Sequence, residues 1–270
     1  MNQFNIKNKV AIITGGAGVL GGSTADYLAN EGAKIVILDR DQITIDEKVA
    51  SIVKNGGEAI GFASNVLDKT SLEEIRTKIL DQYKSIDILI NAAGGNMPGA
   101  TIGPDQTIFD LDLSDFQKVN DLNLNGTVIP SIVFGETMSK QRTGTIINFS
   151  SMSVARAITR VAGYSTSKAA MENFTRWLAV ELASKFGGNI RVNALAPGFF
   201  IGNQNRRLLT NEDGTYTERG NTVIVNTPMR RFGEAEELTG AIHYLCSDAS
   251  KFVTGITLPV DGGFSAFSGV

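Results

Sequence analysis

Residues 10–22 read VAIITGGAGVLGG, an apolar, β-branched run that passes directly into a stretch carrying five glycines between Thr14 and Ser23. From Gly16 the spacing is Gly16-x-Gly18-x-x-Gly21, placed after a strand pattern and at the opening of a helix. Glycine at such a junction lets main chain approach a ligand closely, and the unpaired N–H groups at the helix start then face an anion such as a pyrophosphate. A tight strand-to-helix turn with no ligand would carry the same letters. Asp39 weighs between the two, closing the second apolar run, KIVILD at 34–39, eighteen residues beyond Gly21. An acid there can accept hydrogen bonds from both hydroxyls of an adenine ribose and repels a 2′-phosphate, which predicts NAD in preference to NADP. Arg40, next to it, could serve a phosphate instead.

Outward from this stretch, runs rich in Val and Ile recur at 10–14, 34–39, 59–63, 86–91, 145–150, 190–196 and 255–260. They lack in/out alternation and so read as strands buried on both faces of a parallel sheet. Amphipathic helical patterns lie between them, among others over 71–83, 170–186 and 234–248. This alternation predicts one α/β domain over residues 1–270, a doubly wound parallel seven-stranded sheet of the Rossmann type with helices on both faces. The stretches 94–110 and 198–226 show no periodicity and are expected as long loops at the carboxyl edge of the sheet, where open α/β folds bind ligands.

Of the 270 residues, 42% are hydrophobic and 20% charged, enough for a large core and unlike a disordered chain. The formal charge is −3 and no cationic run occurs, so neither nucleic acid nor an anionic membrane is an expected partner. No segment approaches the roughly 18 to 20 apolar residues of a membrane span, and the first residues lack a signal peptide's apolar core, so a cytoplasmic protein is expected. Cys246 stands alone, which excludes an intrachain disulfide framework and a multi-cysteine metal site. A lone histidine, His243, disfavours both a Ser-His-Asp arrangement and a histidine metal cluster; it is expected to pack within its helix, and no metal is expected.

Six further marks occur in order along the chain: NAAG (91–94), LNLNG (122–126), SS (150–151), YSTSK (164–168), PG (197–198) and VDGG (260–263). With the glycine stretch they make the sequence resemble the short-chain dehydrogenase/reductase family over essentially its whole length. That family usually writes the turn as Thr-Gly-x-x-x-Gly-x-Gly. Here Val19 stands where the middle glycine belongs and Gly18 sits one position early, so Val19 needs a helix-compatible φ and Gly18 must supply the close approach. Asn65 stands where relatives often carry Asp to meet the adenine amine, a bond its amide carbonyl can also accept. The resemblance implies a nicotinamide dinucleotide held by Gly15, Gly16, Gly18, Val19, Leu20, Gly21, Asp39, Arg40, Asn65, Val66, Asn91, Ala92, Ala93, Gly94, Tyr164, Lys168, Pro197 and Gly198. It also implies a catalytic tetrad of Asn123, Ser151, Tyr164 and Lys168, with Lys168 bonding the nicotinamide ribose and Asn123 holding a water that links Lys168 to solvent. A homotetramer with the 170–186 helix at an interface is implied as well.

The residue types fit the chemistry. Hydride exchange at a carbonyl carbon leaves an oxygen that must gain or lose a proton near neutral pH. A phenol titrates near 10, and an ammonium held close favours phenolate; Lys168 lies four residues after Tyr164, on the same helix face. Ser151, at the end of the fifth strand, is placed to hydrogen-bond the substrate oxygen. Amides and cations crowd the 198–231 region, where Asn203, Gln204, Asn205, Arg206, Arg207, Arg219, Arg230 and Arg231 occur. Arg156 and Arg160 precede Tyr164. Such a lining suits a small polyhydroxylated acid, since amides pair with hydroxyls and guanidinium with carboxylate.

Within the family, the Val19 turn, SSMSVARAITRVAGYSTSK (150–168), PGFFIGNQNRRLL (197–209) and the ending VDGGFSAFSGV resemble the D-mannonate oxidoreductase (fructuronate reductase) branch. The candidate substrate residues are Ser151, Ser153, Arg160, Tyr164, Asn203 and Arg206, and the expected partner is a keto or hydroxy sugar acid. Rival readings are another short-chain dehydrogenase, such as a gluconate 5-dehydrogenase or a 3-oxoacyl thioester reductase, and a non-catalytic dinucleotide-binding regulator. The intact tetrad argues against the regulator.

Overall fold

The structure, a computed structural model, describes residues 2–202 and 205–269. Strands β1 (Val10–Thr14), β2 (Lys34–Asp39), β3 (Glu58–Ala63), β4 (Ile88–Asn91), β5 (Gly144–Phe149), β6 (Ile190–Pro197) and β7 (Thr257–Val260) form one sheet. Its order is β3-β2-β1-β4-β5-β6-β7 and every pairing is parallel. Thr14 lies opposite Leu38 on one side and Asn91 on the other. Three strands therefore end level where the strand order reverses, and the glycine turn leaves the sheet at that crevice.

Strand residues point alternately to the two faces and feed two separate cores. Ile13, Ile35, Ile37, Ile90 and Ile147 pack with Leu28 and Leu245 on one face; Ile12, Val36, Leu38, Leu89 and Ile146 pack with Phe134, Met138 and Leu178 on the other. The first core involves helices α1 (Val19–Asn30) and α2 (Gln42–Lys54), the second α3 (Lys69–Tyr83). The aspartates Asp41 and Asp68 cap α2 and α3, their side chains accepting the Ile43 and Ser71 N–H groups at 2.9 and 3.1 Å.

Further along are α4 (Leu113–Asn120) and α5 (Gly126–Gln141), joined by a π-helical turn over Asp121–Asn125. α6 (Ala162–Phe186) carries Tyr164 and Lys168 in its first turns, as expected, and continues through the 170–186 pattern; Gly163, Ser167 and Lys168 are buried there yet not apolar. The expected 234–248 helix is divided into a 3₁₀ turn at Ala235–Leu238, a helix at Thr239–Cys246 and a second 3₁₀ turn at Asp248–Ser250. The two expected loops also need correction. Residues 94–110 contain 3₁₀ turns at Pro98–Ala100 and Ile108–Asp110, and the 198–226 stretch carries two short helices, α7 (Arg206–Leu209) and α8 (Glu218–Asn226). The Thr239–Cys246 helix is α9.

Candidate active site

The glycine turn is held by contacts that no other residue could make. Gly15 sits at φ +67°, a left-handed conformation, and a Cβ there would lie 2.9 Å from the Ala93 nitrogen. A Cβ on Gly21 would overlap the Gly15 carbonyl. Ala92 and Ala93 close over the turn through their N–H groups, which donate to the Thr14 carbonyl and hydroxyl, each at 3.2 Å. Val19 is the first residue of α1 and so has the helical backbone its position required; its side chain is 40% exposed. Gly18 is extended, at φ −75° and ψ 177°, a conformation open to any residue. Within the protein itself, Gly15 and Gly21 are the glycines whose missing Cβ the packing requires.

Asp39 reaches back over this turn, Oδ2 accepting from the Ala17 N–H at 3.2 Å and Oδ1 from the Arg40 N–H at 2.8 Å. Arg40 is exposed beside it. The Asn65 side-chain carbonyl accepts the Leu67 N–H at 3.1 Å, so the oxygen expected to meet an adenine amine already closes a local turn. Val66 is buried. Asn91 is the clearer departure. Its amide donates to Ser131 at 3.0 Å and to Asn148 at 2.9 Å, and Asn148 donates in turn to Thr175 at 2.8 Å. The Asn91 side chain thus ties the sheet to α5 and α6 instead of reaching the nucleotide edge.

At the other side of the crevice the π turn inserts Asn123 fully into the protein. Its Nδ2 donates to the Gly95 carbonyl at 2.7 Å and the Val119 carbonyl at 2.8 Å, and its Oδ1 accepts the Gly95 N–H at 3.0 Å. The Asn123 side chain is therefore fully engaged with the main chain of Gly95 and Val119. A Cβ at Gly94 would stand 2.7 Å from Asn123 Oδ1 and 3.2 Å from Lys168 Nζ, so these polar atoms converge on that glycine. The Lys168 ammonium donates to the Phe149 carbonyl at 2.6 Å and lies 5.6 Å from the Tyr164 ring centre.

Burial sets the charges here. It pushes the Tyr164 phenol above its ordinary value, with a hydrogen bond from Ser151 pulling the other way. It brings Lys168 down from 10.5 to about 8. In the protein by itself burial therefore outweighs what favours the phenolate. Ser151 also accepts the Ser153 N–H at 3.2 Å, while the buried Ser153 hydroxyl has no partner among the described residues. Next to Ser151, the Ser150 hydroxyl donates at 2.6 Å to Glu172, a buried carboxylate that also pairs with Arg176 at 3.1 Å. Sequence reasoning passed over Glu172, although its spacing four after Lys168 and four before Arg176 was visible.

Pro197 and Gly198 end β6. The Pro197 carbonyl accepts the Met152 N–H at 3.2 Å, and a Cβ on Gly198 would come within 2.6 Å of Asp261. A cavity of about 370 Å³ lies beyond Gly198, lined by Phe199, Thr227, Met229 and Asp261, apart from Tyr164. Arg160 precedes α6 and belongs to the same connection as Ser151. Arg206 is exposed on α7, and Asn203 lies outside the described residues. His243 packs as expected, with Nε2 2.6 Å from the Phe4 carbonyl and Nδ1 3.2 Å from the Tyr27 hydroxyl.

These residues fit a dinucleotide: a cradle that any Cβ would fill, the amino end of α1, an acid at the end of β2, and an ammonium beside Gly94. Across the crevice, a hydroxyl and a buried phenol stand ready to exchange a proton with an oxygen. The family model described as enoyl-(acyl carrier protein) reductase matches residues 16–265. An uncharacterized oxidoreductase, UxuB, of Bacillus subtilis is 45% identical, with 98% of both chains covered. A 3-oxoacyl-[acyl-carrier-protein] reductase of Synechocystis is 34% identical, covering 96% of this chain and 98% of its own. Among solved structures, a candidate D-mannonate oxidoreductase from Haemophilus influenzae with bound NAD is 44% identical and superposes with a TM-score of 0.91, covering 98% of each chain.

Proposed function

Since the chain belongs to the short-chain dehydrogenase/reductase family, whose members are oxidoreductases acting on CH–OH groups, we propose that it interconverts D-mannonate and D-fructuronate with NAD(H). The observation that carries this reading is the meeting of Tyr164, Ser151 and Lys168 beside the glycine cradle, in a chain that aligns end to end with the candidate D-mannonate oxidoreductase. Asp39 supports NAD over NADP by occupying the place a 2′-phosphate would need.

When bound, the nicotinamide exchanges a hydride with the substrate carbon. Tyr164 holds its proton at the phenol oxygen and passes it to the substrate oxygen as a ketone is reduced; in oxidation the phenolate takes that proton back. Ser151 donates to the same substrate oxygen and steadies the charge that develops there. Lys168, fixed by the Phe149 carbonyl, favours phenolate when protonated and is placed to hold the nicotinamide ribose. Asn123 keeps the Gly94–Gly95 main chain in position. Gly15, Gly16, Gly18, Val19, Leu20 and Gly21 would cradle the pyrophosphate, and Ser153, Arg160 and Arg206 are the described residues assigned to the sugar acid; Asn203, also assigned to it, lies outside the described residues.

Steady-state kinetics with fructuronate and mannonate, each with NADH/NAD and NADPH/NADP, test this reading; turnover of neither acid overturns it. The Synechocystis relative supports a second reading, reduction of 3-oxoacyl thioesters, which acetoacetyl thioester turnover would distinguish. A homotetramer is part of the proposal. Trp177 and Val180 stand 59% and 68% exposed on α6, a costly arrangement for a lone chain, and light scattering on the eluting protein measures the mass. We place the enzyme in the cytoplasm.

A further inference from the structure

Most of the cations near the crevice are engaged. Arg231 makes a two-pronged contact with Glu237, Arg176 pairs with Glu172, and Arg156 donates to the Ser265 carbonyl at 3.0 Å. Two guanidinium groups differ. Arg160 is held in a left-handed conformation, φ +76°, and its carbonyl accepts the Ile102 N–H at 3.0 Å, which ties the 94–110 segment to the connection carrying Ser151 and Ser153. Arg219 comes from α8, and its guanidinium reaches the residue just before Arg160, lying 3.4 Å from the Thr159 hydroxyl and 3.5 Å from the Thr159 carbonyl. Among the described residues no carboxylate lies within ion-pair distance of either guanidinium.

Two separate segments, the Ser151 connection and α8, therefore bring two half-buried cations to one place, Arg160 lying four residues ahead of Tyr164. Nothing internal rewards that arrangement. Like charges repel, and burial together with the charge of Arg160 pulls Arg219 below its ordinary value. A left-handed backbone at a residue with a long side chain is itself unfavourable, and such outliers persist where the surroundings impose them, often at ligand clamps. An anion relieves all of this at once. Two guanidinium groups can fork onto the two oxygens of a single carboxylate. Close by in sequence, the buried Ser153 hydroxyl lacks a partner, as does the Asn96 side-chain carbonyl on the 94–110 segment. Both suit the hydroxyls of a polyol chain.

We propose that Arg160 and Arg219 together form the clamp that takes the substrate's carboxylate, fixing the acid end of a sugar acid while its carbonyl or carbinol carbon lies at Tyr164. This rests on the sugar-acid reading above and assigns its specificity to α8, where Arg206 on α7 was the expected residue. It also explains how substrate would fasten the cap formed by α8. In the protein alone, the polar tie from α8 to the Ser151 connection among the described residues runs through these long Arg219 bonds.

The test is steady-state kinetics of mannonate oxidation by the parent enzyme and by Arg160→Gln, Arg219→Gln, Arg219→Lys and Arg207→Gln, the last an exposed cation on α7 outside the clamp. The expected result is a KM for mannonate raised tenfold or more in both Gln variants, with kcat within about threefold, an intermediate KM for Arg219→Lys, and parental values for Arg207→Gln. Circular dichroism and NADH binding confirm that each variant folds, and Arg219→Lys carries the test should Arg219→Gln not. If the parent oxidises mannonate but the clamp variants keep its KM, or Arg207→Gln raises KM equally, the clamp is overturned and the sugar-acid function stands. If the parent turns over neither mannonate nor fructuronate, the sugar-acid reading falls and the clamp falls with it.

Discussion

Main chain builds one half of the crevice and side chains build the other. Around β1, β2 and β4 the surface consists of Gly15, Gly16, Gly21, Ala92 and Ala93, and the defining contacts are between backbone atoms, with Asp39 laid across them. Around β5, α6 and α8 the defining groups are Ser151, Tyr164, Lys168, Arg160 and Arg219, brought together from distant segments. The first half has no room for an added atom; the second depends on its side chains keeping their donors and charges. Geometry limits one, and the free energy of buried polar groups limits the other.

The sharpest test of the side-chain half is Tyr164→Phe, which keeps the ring and removes the proton. Turnover should fall by about 10²- to 10⁴-fold, while NADH binding, followed by fluorescence titration, stays at the parental value. A variant of undiminished rate would mean the proton comes from elsewhere.

Lys168 gives the next largest effect. Its value falls from 10.5 to about 8 in the folded protein, so between those limits the unfolded chain binds more protons and stability rises with pH. The cost at neutral pH is on the order of 3 kcal/mol. Lys168→Met removes that slope: relative to the parent, the nucleotide-free variant should be most favoured at pH 7, and its relative stability should decline as pH rises from 8 to 10. Loss of the Phe149 carbonyl's partner lowers the variant equally at every pH. Urea unfolding at pH 7, 8.5 and 10 measures this, and a pH-independent difference would show the ammonium is not strained by burial.

On the main-chain half, Gly21→Ala drives a methyl group into the Gly15 carbonyl. A cost of about 1–3 kcal/mol is expected, seen as a lower thermal midpoint together with weaker NADH binding, whereas Val19→Ala, at an exposed position, should leave both nearly unchanged. Equal tolerance at the two sites would break the contrast. The smallest change expected is in selectivity: Asp39→Ala should narrow the preference for NAD over NADP by about tenfold, or 1.4 kcal/mol, read as the ratio of kcat/KM values.

The same contrast decides what could be read from the letters. A glycine whose missing Cβ matters leaves a one-letter mark at fixed spacing from a strand, so the cradle, Asp39 and the seven strands were legible. Tyr164 and Lys168 were legible because one helix carries both. The engagement of the Asn91 side chain was not legible because the sequence does not say that Ser131 and Asn148 face it, and the same blindness hid Glu172 behind Ser150. Arg219 was one cation among many until α8 placed it at Thr159. α8 itself escaped notice since only Gly220 and Val223 of its residues are buried, too few to show a period. The phenol's raised value was likewise invisible, because burial depends on elements far away in the chain.

The π turn at Asp121–Asn125 also bears on how this chain can change length. One surplus residue in a helix advances everything after it by about 100° around the axis. A π turn absorbs that surplus locally, so deleting one position in LNLN restores a regular helix and leaves Phe134 and Met138 on their face, while withdrawing the bulge that presents Asn123 to the Gly95 main chain. A one-residue deletion within 121–125 should therefore leave a folded protein of much reduced turnover, while a conservative exchange at Leu124 leaves turnover near the parental value.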